Sequence, residues 1–293
     1  MAVFDEEIML QRIITAIVLI AILLPILIFS EAVPFLIPLM VTLMSLVALW
    51  EYFHCVGKDK DLLVTIPAYL VGLAIPLGTI WVRNWGLPVY LALAAACLVG
   101  YLIYLFTVAV FRRGKMVFAE VTTAFTGVLY IAVSFASLAL LRHNTLNGKY
   151  LYLLVFFGAW VTDTFAYFTG RFFGKHKLNP EISPKKTVEG SIGGIVFCIL
   201  SFVGFGLVMQ FAYGMRVNYV MLCVAGLICS FVSQVGDLIT SLIKREHGVK
   251  DFGKIFPGHG GVLDRFDSVL AISPVLLILC NLVLFSTSLG ILL

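Results

Sequence analysis

The chain has 293 residues, 61% of them hydrophobic and 12% charged, with a formal net charge of +4 and a mean hydropathy of +1.06. A soluble domain averages about 45–50% apolar and about 25% charged residues. The composition therefore excludes a soluble enzyme and leaves an integral membrane protein whose apolar side chains face lipid.

A helix needs about 20 apolar residues to cross a bilayer. Such runs fall at about 12–30, 32–53, 62–82, 87–111, 118–141, 150–170, 191–213, 217–243 and 266–290. The expected fold is an all-α integral membrane protein of about nine transmembrane helices. The extreme N-terminus carries Asp5, Glu6 and Glu7, with Arg12 as the first base. A secretory signal begins with a positive region, so the first run is expected to stay as an anchor. Only a few residues around Glu31 separate runs one and two, which predicts a tight antiparallel hairpin. With the N-terminus cytoplasmic and the C-terminus outside, the outer segments hold only Arg83, Arg142, Lys149 and Arg216 of the 20 Lys and Arg. That asymmetry agrees with the positive-inside rule. Residues 1–149 read as scaffold helices. Residues 150–293 read as a catalytic region with cytoplasmic loops 171–190 and 244–265. The six cysteines form no CxxC pair, and neither a disulfide framework nor a cysteine-bound metal is expected.

Two carboxylates interrupt the apolar runs, Asp163 in "FFGAWVTDTFAYFTGRFFG" and Asp237 in "FVSQVGDLITSLIKR". An ionisable group at membrane depth is costly and points to function. At about 1.5 Å of rise per residue, each lies roughly 10–12 Å in from its cytoplasmic end. Asp264 and Asp267 return to the same side at the start of the last run. The pattern allows a carboxylate cluster in a cavity open to the cytoplasm. Asp264 and Asp267 are also placed to cap that last helix.

The loop "GRFFGKHKLNPEISPKKTVEGSIGG" is basic, broken by Pro180 and Pro184, and closes on glycines that open a helix. Lys185 and Lys186 beside free backbone N–H groups make an anion site, although a positive-inside loop meeting lipid headgroups has the same composition. The phosphate-binding pattern GxxxxGK[ST] is absent. Carboxylates without thiolates favour a hard metal such as magnesium. Bases beside such a site suggest phosphates.

The stretch "SLIKREHGVKDFGKIFPGHGGVLDRFD", Ser241 to Asp267, resembles the signature of the phosphatidate cytidylyltransferases, also called CDP-diacylglycerol synthases. The matching positions are Ser241, Lys244, Arg245, Lys250, Asp251, Pro257, His259, Gly260, Gly261, Asp264, Arg265 and Asp267. "DTFAYFTGRFFGKHKL" and "SPKKTVEGSIGG" are also similar to that family, with Val188 where many members have Trp. The likeness covers about residues 155–270; earlier spans match only in being hydrophobic.

The resemblance implies that CTP and phosphatidic acid give CDP-diacylglycerol and pyrophosphate. It also implies Mg2+, as two metal ions with a monovalent cation such as K+ also admissible, and a homodimer in the bacterial cytoplasmic (inner) membrane. No nucleic-acid partner is expected. Asp237 and Asp264 are the implied metal ligands, with Asp267 as a further one. Lys244, Arg245, Lys250 and Arg265 are candidates for phosphate contacts. Lys244 and Arg265 are counted with the three aspartates as catalytic. Gly258, Gly260 and Gly261 let the backbone approach a ligand. His259 fits a structural or phosphate hydrogen bond better than a general base, since the attacking phosphate is already anionic. Ser183, Lys185 and Lys186 are placed at the triphosphate, and Ser241 with the substrate. Asp163, Thr164 and Tyr167 share one side of a helix, in nucleotide binding or in support of the metal site. Two other readings compete. One is a related lipid kinase or another lipid acceptor; the other is a cation-coupled transporter using Asp163 and Asp237, which leaves the polar loop 250–268 without a role.

Overall fold

The computed structural model describes residues 32–112, 116–256 and 260–284, with Pro25, Phe29 and Ser30 ahead of them. Helix α1 (Leu36–Cys55) is followed by α2 (Leu62–Gly78), a 3-10 turn (Thr79–Trp81), the short α3 (Val82–Trp85), α4 (Leu87–Phe111) and α5 (Phe118–Asn144). The one-turn α6 (Gly148–Leu151) leads into α7 (Leu153–Phe173) and a hairpin of β1 (Lys177–Asn179) and β2 (Ser183–Thr187). Then come α8 (Val188–Tyr213), α9 (Tyr219–Glu246) and α10 (Val262–Leu284).

Among the described residues, 7 helical stretches are long and apolar enough to cross a membrane: Leu36–Cys55, Leu62–Trp85, Leu87–Phe111, Phe118–Asn144, Gly148–Phe173, Val188–Tyr213 and Tyr219–Glu246. They coincide with the second to eighth apolar runs. The chain is thus a mostly helical, multi-pass membrane protein. The first run lies outside the described residues, apart from Pro25, Phe29 and Ser30. The ninth begins as α10, and its end beyond residue 284 lies outside them as well.

The structure corrects the sequence reading in two places. Residues 177–187 are a two-stranded antiparallel hairpin, so the fold is not purely helical. Pro180 and Pro184 deny this segment a helix. Asn179 turns the chain by accepting the Ile182 N–H on its side-chain oxygen at 3.2 Å, as an Asx turn does. The helices also run past the apolar residues. Helix α8 starts at Val188 because Thr187 caps it, its hydroxyl accepting the Gly190 N–H at 3.1 Å. Helix α9 runs on to Glu246, and α10 starts at Val262. Lys244, Arg245, Asp264 and Arg265 are therefore helical and not loop residues.

The chain divides into two compact units: residues 1–139 with 247–266, and residues 140–246 with 267–293. The signature loop belongs with the first unit, not with the helices it follows in sequence. In the first unit, α1 packs closely on α2 and α5. Gly72 leaves room for Leu49, and Gly127 lies under the Tyr52 ring. The Tyr52 hydroxyl donates to the Thr123 carbonyl at 2.9 Å. At the helix ends, Arg112 grips both oxygens of Asp61, at 2.5 and 2.8 Å, and Lys58 pairs with Glu120.

The Arg112 guanidinium holds the Asp61 carboxyl below its ordinary range. A lowered folded-state pKa gives stability that is present above the unfolded value and lost as pH falls through the folded one. Asp61→Asn is therefore expected to lower the melting temperature at neutral pH. The gap from wild type should close in acid, and a gap that persists there would remove the Arg112 pair as its source.

In the second unit, α7, α8 and α9 pack on one another. Glycines set their separation. A Cβ on Gly193 would stand 2.3 Å from the Thr169 hydroxyl, one on Gly190 2.5 Å from the Ala166 carbonyl, and one on Gly226 3.0 Å from the Ile199 Cα. Without water to drive apolar association, membrane helices gain most where small residues allow such approach. The glycines of "EGSIGG" thus draw the capped start of α8 against α7.

Candidate active site

Helices and the hairpin of the second unit line a cavity of about 300 Å³. Helix α7 contributes Asp163, Tyr167 and Arg171, β2 contributes Lys185 and Lys186, and α9 contributes Gln234 and Asp237. Thr187, Gly190 and Ser191, at the start of α8, complete the wall. The hairpin carries the two lysines over the end of α7, and the close α7–α8 contact brings the α8 N-terminus beside them. That terminus adds partial positive charge. The cavity therefore faces its contents with three bases, a helix N-terminus and two carboxylates.

The carboxylates are held by specific partners. Lys186 forms an ion pair with Asp237. Ser268, in α10, donates its hydroxyl to Asp163 at 3.3 Å, and its N–H to its neighbour Asp267 at 2.7 Å. Asp163, Asp237 and Asp267 are near enough to act on one another electrostatically, and Lys244 acts on Asp267. Lys244 itself is buried in the last turn of α9. Gln234 donates to the Ser191 carbonyl at 3.3 Å and ties α9 to the start of α8. The structure thus gathers Asp163, Tyr167, Lys185, Lys186 and Asp237 around one cavity, with Asp267 and Lys244 in electrostatic range of its carboxylates. Ser183 and Ser241 do not line it.

Of the other signature residues, Arg245 lies in the second unit, and Lys250, Asp251, Gly260, Gly261, Asp264 and Arg265 lie in the first. Lys250 lines a separate hollow with Trp50 and His54. Arg265 is exposed. Asp264 is buried, and one of its oxygens accepts the N–H groups of Phe252 at 2.8 Å and Gly261 at 3.0 Å. This is the capping role open to an acidic residue three places into a helix. Gly260 adopts φ +83°, and a Cβ there would stand 2.9 Å from Asp264. Pro257, Gly258 and His259 lie outside the described residues.

Several residues of this region carry no weight in the sequence analysis. Glu189 accepts the N–H groups of Lys175 and His176, at 3.1 and 3.2 Å, and pins the turn after α7 to the first turn of α8. Glu51, in α1, accepts two N–H groups from α10. Arg171, at the end of α7, also lines the cavity. For Glu51 the signal was there, since a carboxylate inside "LVALWEYFHC" is as unexpected as Asp163 or Asp237.

Among the described residues, no three His, Cys, Asp or Glu side chains converge closely enough to ligate an ion between them. Mg2+ is commonly bound by one or two carboxylates, with water and substrate phosphates filling its shell. Asp237, in the cavity wall with Lys185 and Lys186, is such a carboxylate.

The model of the cytidylyltransferase family matches residues 10–283. The phosphatidate cytidylyltransferase of Staphylococcus haemolyticus is 34% identical over 274 residues, covering 92% of this chain and 97% of the relative. That of Staphylococcus epidermidis is 35% identical over 274 residues with the same coverage. That of Staphylococcus aureus is 34% identical over 268 residues, again 92% and 97%. The similarity therefore extends well beyond the signature, into the scaffold helices.

Proposed function

The chain belongs to the cytidylyltransferase family, and on that footing we propose that it is a phosphatidate cytidylyltransferase. It joins CTP and phosphatidic acid to give CDP-diacylglycerol and pyrophosphate. The observation that carries the reading is the cavity between α7, β2, α8 and α9, where Lys185, Lys186 and Arg171 meet Asp163 and Asp237 at a helix N-terminus.

An oxygen of the lipid phosphate attacks the α-phosphorus of CTP. The bond from that phosphorus to the oxygen bridging to the β-phosphate breaks, and pyrophosphate leaves with the electron pair. The nucleophile is already an anion near pH 7, so no side chain has to remove a proton. The obstacle is repulsion between two polyanions, and catalysis consists of neutralising and aligning them. Lys185, Lys186, Arg171 and the α8 N-terminus supply fixed positive charge for the triphosphate. Lys186 reaches that role from its ion pair with Asp237. Asp237 and Asp267 are assigned as carboxylates that would hold Mg2+; Asp264 is assigned as a metal ligand on the signature alone. Magnesium, when bound, neutralises phosphate oxygens and stabilises the charge on the leaving pyrophosphate. Lys244, Arg245, Lys250 and Arg265 are proposed as further phosphate contacts on the signature alone.

A membrane fold suits this substrate, because the acyl chains stay in lipid while the headgroup enters a polar cavity. We place the cavity on the cytoplasmic side of the bacterial inner membrane, in a chain of nine spans acting as a homodimer. Purified protein supplied with Mg2+, labelled CTP and phosphatidic acid is expected to form labelled CDP-diacylglycerol. Silence with phosphatidic acid but product with another lipid acceptor would overturn the acceptor. Cation flux into proteoliposomes without nucleotide, and no transfer to any lipid, would overturn the enzyme reading.

A further inference from the structure

Glu51 sits in the last part of α1 and is fully buried, at 0% exposure. A carboxylate there is costly unless its oxygens are engaged. Both are. One accepts the Val262 N–H at 2.9 Å and the other the Leu263 N–H at 2.9 Å. These are the first two residues of α10, whose N–H groups have no partner within the helix. The next N–H upstream, from Gly261, goes to Asp264. Position 261 is glycine and has no side chain with which to cap α10. The cap comes instead from a residue 211 positions away in sequence.

Gly253 and Gly261 leave room for this carboxylate. A Cβ on Gly253 would stand 2.4 Å from a Glu51 oxygen, and one on Gly261 2.2 Å. Next to Glu51, Tyr52 anchors α1 to α5 through its ring and hydroxyl. The start of α10 is thereby tied to the packed scaffold of the first unit. Two carboxylates, Glu51 and Asp264, fix the run of amides from Gly261 to Leu263 that immediately precedes Asp264 and Arg265.

We propose that Glu51 is a positioning residue: its buried carboxylate grips the first two amides of α10 and so sets the place and orientation of Asp264 and Arg265 for the reaction. The proposal rests on the assignment of Asp264 made above. It gives the N-terminal helices a part in catalysis beyond lipid contact.

The test uses the full-length protein in detergent and the variant Glu51→Gln, which keeps the shape but turns one acceptor into a donor facing an N–H. Groups that orient a metal-binding residue typically cost about 10–100-fold in activity or metal affinity when changed. Turnover is expected to fall by that order, and the Mg2+ concentration for half-maximal activity to rise, with the KM for phosphatidic acid little changed. Hydrogen exchange at the Val262 and Leu263 amides is expected to quicken. Gly253→Ala, which displaces the carboxylate without deleting it, should reproduce the defect and decides the matter if Glu51→Gln does not fold. Faster exchange with turnover and Mg2+ dependence within about twofold of wild type would reduce Glu51 to a helix cap and overturn the proposal. Unchanged exchange would overturn it too. If the wild-type protein forms no CDP-diacylglycerol, the reaction assignment fails by itself, and the exchange data still report whether Glu51 holds α10.

Discussion

Asp264→Asn is expected to end turnover and leave the fold standing. The structure explains why the two effects separate. One Asp264 oxygen accepts the Phe252 and Gly261 N–H groups, and an asparagine can present its carbonyl oxygen to the same pair. The loop and the start of α10 then keep their hydrogen bonds. What disappears is the negative charge, which a hard metal requires and an amide replaces poorly. Metal-borne charge stabilisation is worth several kcal/mol in such transfers, so a loss of about three orders of magnitude or more in kcat is expected. Labelled product per mole of purified protein measures it, with the melting temperature recorded alongside. Asp264→Ala is the contrasting variant. It strands two buried N–H groups, each costing about 1–3 kcal/mol, and should lose stability as well as activity. Near-normal turnover in the asparagine variant would leave Asp264 as a helix cap and remove it from the metal site.

The residues differ in how plainly the sequence announced them. The spans from α1 to α9 were legible because lipid imposes length and hydropathy on any helix that crosses it. Asp163 and Asp237 were legible because a charge inside such a run has few bland explanations. Glu51 carried the same signal, but its partners lie on the far side of the sequence, and Gly261, which makes room for it, reads as a ligand-binding glycine. The structure fills the space before Gly253 and Gly261 with Glu51. The hairpin at 177–187 was read as an irregular basic loop, because two short strands separated by a turn give no periodicity to detect. Helix ends were misplaced by the same cause each time. Hydropathy marks where the lipid ends, whereas the backbone stops where its caps stand, at Thr187 for α8 and at Glu51 and Asp264 for α10.

Lys186→Ala is expected to weaken the use of CTP more than the use of phosphatidic acid. Lys186 lies on β2, in the cavity wall beside Lys185 and the start of α8. Its ammonium pairs with Asp237, so in the substrate-free cavity that carboxylate is balanced by a base. The incoming triphosphate competes for the same ammonium, and a hydrogen bond between charged groups is worth about 1.5–3 kcal/mol. Removing it should raise the KM for CTP by about tenfold to a hundredfold. A second effect follows from the carboxylates. Without Lys186, Asp237 loses the cation it is paired with, and a positive ion becomes more welcome there. The variant is therefore expected to bind Mg2+ no more weakly than wild type before CTP is added, although it uses CTP poorly. Asp237→Asn should do the reverse, losing Mg2+ dependence first. Steady-state kinetics with each substrate varied in turn, together with Mg2+ titration of the nucleotide-free protein, separates the two. A rise in the KM for phosphatidic acid with that for CTP unchanged would move Lys186 to the lipid phosphate and turn the cavity around, with the acceptor on the β2 side.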